Sequence, residues 1–174
     1  LVVSRGREIK GDTLMVSINI VRRSPNPRPF TGARMKTRVE NALAPQGLGN
    51  RIEHPGHFCV FTSLNVEIVR PDLSPEGDET IACSFSGNLE MTAKPISGPR
   101  DPYESGRVRF FRPRPIRQAL EAWGEQIAER LSSQISPIET RLNLSHDANQ
   151  QPNAPAISIR MSGMISFTEP DTSS

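Results

Sequence analysis

Between Pro115 and Ile135 the chain reads PIRQALEAWGEQIAERLSSQI, the longest well-formed helix signal in its 174 residues. Ile116, Leu120, Trp123, Ile127 and Leu131 recur at spacings of four, three, four and four, and Ile135 continues the row. That spacing lays one apolar stripe along a 3.6-residue period. Arg117, Gln118, Glu121, Glu125 and Glu129 fall on the other side. Pro115 suits a first helical turn, because its missing N–H would be unpaired there anyway, and Pro137 lies just past the end. A helix apolar on one side needs a surface to lie on, so the remaining chain has to supply one.

Alternating segments supply it. In Thr13 to Val21, Leu14, Val16, Ile18 and Ile20 share one face and Ser17 and Asn19 the other, the pattern of a half-buried strand. Residues 58–69 place Phe58, Val60, Leu64, Val66 and Ile68 on one face, and residues 81–93 do so with Ile81, Cys83, Phe85, Leu89 and Met91. The acidic, Pro- and Gly-rich RPDLSPEGDE between them makes the pair an antiparallel hairpin. With Arg70 facing Thr80, Cys59 falls opposite Met91 and Cys83 opposite Glu67, too far apart for a disulfide. Both cysteines are therefore expected to be reduced, as in a cytoplasm-like compartment. RVRFF at 107–111 reads as a short strand, and 156–168 as the last one. Residues 81–92 and 157–168 align without gaps around a shared Ser-Gly. Two central strands of one sheet, with Gly87 and Gly163 side by side beneath Trp123, account for that echo.

The expected fold is thus α+β and two-layered: a mainly antiparallel sheet of four or five strands, covered by the 115–135 helix with a short helix at 31–43, capped by Thr31, as satellite. One domain spans 1–174, with a proline-rich arm at 23–30 and a polar tail at 169–174. No apolar run approaches the ~18 residues of a membrane span, and LVVSRGREIKGD is no signal peptide, so no membrane partner is expected.

Catalysis has no foothold. GxSxG, HExxH and a phosphate-cradling glycine loop are all missing, and no carboxylates pair for acid–base work. His54, His57 and Cys59 are potential metal ligands within six residues, but a structural zinc site takes four ligands, usually from two separated clusters. They read as loop histidines beside a proline turn, with His146 alone in a polar loop. Neither metal nor cofactor is expected.

Charge carries more. The net charge is +2, yet its distribution is uneven: +7 over 1–51, −6 over 52–106, +5 over 107–118 and −4 over 119–174. Solvated faces account for such blocks in general, but opposite-sign surfaces of neighbouring copies would also use them. On the second view Asp72, Glu76, Asp78 and Glu79 meet Arg22, Arg23 and Arg28 of an adjacent copy. Alternatively, Arg107, Arg109, Arg112, Arg114 and Arg117, with Phe110 and Phe111 between them, form a nucleic-acid-binding stretch.

The order of a helix, a hairpin with an acidic loop, a long amphipathic helix with an Ala122-Trp123 pair and a last strand resembles the tail-terminator proteins of tailed bacteriophages. The resemblance covers roughly 31–168; the strand at 13–22 and the arm at 24–29 are additions. It implies a non-enzymatic ring subunit of a virion, assembled in the host cytoplasm, with copies of itself and other structural subunits as partners.

Overall fold

Ile116, Leu120, Trp123, Ile127, Leu131 and Ile135 are all buried in a computed structural model of the chain, which describes residues 2–10, 13–54, 56–69, 80–93, 113–147 and 156–168. Their helix, α2 (Pro113–Ile135), starts one turn-half earlier than the sequence pattern indicates. It ends where Ser136 takes a left-handed φ of 52° ahead of Pro137. A shorter helix, α1 (Gly32–Leu43), buries Met35, Val39, Ala42 and Leu43. Thr31 occupies its N-cap position, but the threonine hydroxyl makes no capping bond.

The strands are β1 (Val2–Lys10), β2 (Thr13–Arg22), β3 (Arg51–His54), β4 (His57–Val69), β5 (Thr80–Ala93), β6 (Glu139–Asp147) and β7 (Ala156–Thr168). They form one sheet in the order β1-β2-β6-β7-β5-β4-β3, with every ladder antiparallel. The α+β class is as expected, but the sheet has seven strands among the described residues rather than four or five. β1, β3 and β6 are the additions, and the expected strand at 107–111 lies outside the described residues.

Both helices cover one face. α2 lies on β2 and β6, and α1 on β4 and β5. At Gly124 an added Cβ would stand 2.6 Å from Ile20 Cδ1, so the helix backbone approaches β2 closely because glycine leaves the room. One residue away, the Trp123 ring meets His54 of β3 at 4.2 Å. β2 and β3 are five strands apart in order, about 24 Å across a flat sheet at ~4.8 Å per step. A single helix touches both because the sheet curls around it.

β4 departs from its expected pattern. Cys59 and Phe61 face the helices, with Val66 buried after them, whereas Phe58 and Val60 are only half-buried. A register break between Phe61 and Ser63 causes the change of parity: one extra residue in a strand reverses which side chains face the core. Cys59 pairs with Met91 as expected, while Cys83 pairs with Ile68, one residue beyond the expected Glu67. Both cysteines are free and buried.

β5 and β7 are central neighbours, and Ser86 pairs with Ser162. Gly87 and Gly163 are not side by side beneath Trp123: Gly87 pairs with Met161 and Gly163 with Phe85. A Cβ on Gly87 would meet the Ser63 carbonyl oxygen at 2.4 Å, and one on Gly163 the Arg141 carbonyl oxygen and the Phe85 ring, both at 2.4 Å. The glycines make room for a bulged backbone and for a ring, not for the tryptophan. The proline arm is tied to its own chain. The Arg28 N–H donates to Ser136 O and the Phe30 N–H to Thr168 O, each at 3.1 Å, so the residues on either side of Pro29 supply the donors that proline lacks.

Candidate functional site

The face of the sheet turned away from the helices is carpeted with short polar side chains. Antiparallel partners project to the same side, so the register arranges them in rows. Asn19, Asn143, Ser162, Ser86 and Asn65 stand in one row across β2, β6, β7, β5 and β4. Ser17, Ser145, Arg160, Asn88 and Ser63 form the next. A depression of about 510 Å³ opens over their centre. Its edge at β4 is fixed by the bulge: the Asn88 backbone N–H and Nδ2 both donate to Ser63 Oγ at 3.1 Å, and Thr62 Oγ1 donates to Asn88 O at 3.1 Å.

Serine and asparagine suit strand interiors poorly, since their side chains compete for backbone hydrogen bonds and pack little area. Two successive rows of them make a low-relief surface rich in donors and acceptors. Among the described residues that line the depression, Arg160 is the one charged side chain, and no imidazole, carboxylate or aromatic is among them. A serine hydroxyl needs an adjacent base to become a nucleophile, and none stands beside these serines among the described residues that line the depression.

The expected interface residues divide. Arg22 pairs with Glu129 and Arg23 with Glu139 within the chain, so both guanidinium groups already have carboxylate partners. Arg28 is exposed. Asp72, Glu76, Asp78 and Glu79 lie outside the described residues, as do Arg107, Arg109 and Arg112. Arg114 lies in the first turn of α2, and Arg117 is exposed on the same helix. A second depression joins the arm to α2, lined by Arg22, Arg23, Arg28, Glu129 and several serines.

The histidines are not loop residues. His54 and His57 end β3 and begin β4 as direct partners, and His146 lies on β6 with Nδ1 2.9 Å from Ser158 O. All three are buried. His57 and Cys59, two residues apart on β4, project to the same side as His54, and the ligating atoms of the three lie within 4.8 Å of one another. Burial pushes the Cys59 thiol up to about 12 and the Cys83 thiol up to about 11. The signal for this cluster was the two-residue Pro55-Gly56 connection, where Gly56 has φ 82°. Read as a hairpin turn, it sets His54 opposite His57.

No family model, curated protein or solved structure matches the chain.

Proposed function

We propose that this chain is a non-enzymatic structural subunit that assembles with copies of itself, in the particular form of a tail-terminator-like ring in a tailed-phage virion. The open centre of the sheet's outer face, two polar rows that hold one charged residue, Arg160, carries the reading. Self-association through sheet edges is opposed by charge: β1 contains Arg5, Arg7, Glu8 and Lys10 in its sequence, and the four-residue β3 carries an Arg51–Glu53 ion pair at 2.7 Å. Charged, short edges discourage strand addition. The centre of the face has the opposite character. Its hydroxyls and amides both donate and accept, so a neighbouring copy seated on these two rows buries few charges there, which is what makes a polar interface affordable.

The expected charge pairing between copies is narrower than the sequence indicates, because Arg22 and Arg23 are engaged internally. Size-exclusion chromatography with light scattering tests the proposal. The parent chain is expected to run as one discrete oligomer, and Ser86→Arg together with Asn143→Arg to reduce it to a monomer whose far-ultraviolet circular dichroism matches the parent's. A parent that is monomeric at tens of micromolar, or an oligomer indifferent to the two arginines, overturns it.

A further inference from the structure

We propose that His54, His57 and Cys59 bind one d10 transition-metal ion, zinc(II) or copper(I), where the β3–β4 hairpin docks on α2. Three of the chain's five histidine and cysteine side chains gather here, and the backbone explains how. His57 and Cys59 occupy alternate positions of β4, and the two-residue turn sets His54 directly across from His57. All three point into the core, with exposures of 4%, 7% and 0%. Imidazole and thiolate together form the donor set that zinc and cuprous ions favour over harder cations. Met91, the buried partner of Cys59 on β5, sits beside the thiol on the same face.

Metal–nitrogen bonds of about 2.0 Å and metal–sulfur bonds of about 2.3 Å place tetrahedral donors roughly 3.4–3.6 Å apart. The present spread of at most 4.8 Å closes by about 1 Å of side-chain rotation. The two imidazoles are stacked at 4.9 Å and 14°, so binding requires them to rotate out of the stack until their in-plane nitrogen lone pairs meet at one ion. On binding, the Cys59 S–H bond breaks, a metal–sulfur bond forms from the sulfur lone pair, and the proton leaves to solvent. Apparent affinity therefore rises about tenfold per pH unit while the thiol is protonated.

Cobalt(II), added anaerobically to the reduced full chain after chelator treatment, is the probe. One equivalent is expected to produce tetrahedral d–d bands and a thiolate-to-cobalt charge-transfer band, and to quench the fluorescence of Trp123, the only tryptophan, which touches His54. Cys59→Ser abolishes the charge-transfer band, His54→Gln and His57→Gln weaken binding at least about tenfold, and Cys83→Ala leaves the spectrum unchanged. Displacement of cobalt by stoichiometric zinc identifies a zinc site, and retention of copper against a chromophoric cuprous chelator a copper site. A folded parent that gives no charge-transfer band overturns the proposal, as does a band that survives in Cys59→Ser. If Cys59→Ser loses its circular dichroism, unaltered cobalt binding by His57→Gln overturns it instead.

Discussion

Trp123 joins the long helix to the β3 edge of the sheet, and its replacement measures that junction. The indole is fully buried, its ring meets His54 edge to face at 4.2 Å, and the adjacent Gly124 seats the helix on Ile20 and Leu144. Trp123→Ala removes the whole ring and leaves a cavity the curled strands cannot collapse, a loss of about 3–5 kcal/mol. For a chain of 174 residues the unfolding entropy is roughly 0.37 kcal/mol/K, so the melting temperature falls by about 8–14 °C. Trp123→Phe separates two terms. Indole Nε1 is buried with no hydrogen-bond partner among the described residues, a burial that costs about 1–3 kcal/mol. Phenylalanine removes that cost while leaving a smaller void, and is expected to lose less than about 2 kcal/mol, or about 5 °C. Far-ultraviolet circular dichroism melts in the presence of chelator measure both variants without relying on the deleted fluorophore. An alanine variant melting within about 3 °C of the parent would show that α2 does not organise the core. A phenylalanine variant as unstable as the alanine one would show that the indole N–H is bonded.

Gly163→Ala sets a Cβ 2.4 Å from the Arg141 carbonyl oxygen, a backbone atom that cannot swing aside. Urea unfolding should register a loss of about 1–3 kcal/mol, and adding Phe85→Leu, which clears only the ring, should not restore it. Glu139 is held below the usual glutamate pKa, chiefly by its hydrogen bond from Arg141, against desolvation and with help from the charges of Arg141 and Arg23. A carboxylate lowered in the folded state stabilises above its unfolded pKa and loses that contribution as pH falls through the folded one. Glu139→Gln should therefore melt below the parent at pH 7, with the gap closing as pH drops below about 4.5; a gap that persists in acid refutes the ionic origin.

The helix and the last strand were legible because their periods are unambiguous: every residue of the α2 stripe is buried, and Ile157, Ile159, Met161, Ile165 and Phe167 are all inside. β4 was misread because Phe58, Cys59, Val60 and Phe61 are all apolar. A continuous apolar run fits either parity, and the bulge that decides between them leaves no signature in a single sequence. β6 was missed for a different reason. Only Leu142 and Leu144 mark its inner face, while Thr140 and His146 occupy the other buried positions and disguise the alternation as a polar loop. β1 reads as a charged terminus because an edge strand is selected partly for charge.

Both features that break the local rules of strand composition meet on β4. Its first half sends His57 and Cys59 inward to meet His54, and its second half sends Ser63 and Asn65 outward to the polar rows. A regular strand cannot do both, since 57, 59, 63 and 65 share one parity and would share one face. Without the irregularity between Phe61 and Ser63, the side chains of Ser63, Asn65 and Glu67 would be driven into the helix layer, where burying a carboxylate and two polar groups costs several kcal/mol unless each is bonded. Closing Gly87 with a side chain would press on that bulge, because its Cβ would strike Ser63 O at 2.4 Å. The glycine on β5 and the extra residue on β4 are therefore one device. It lets a single strand present buried imidazole and thiol on one side of the sheet and a polar contact surface on the other.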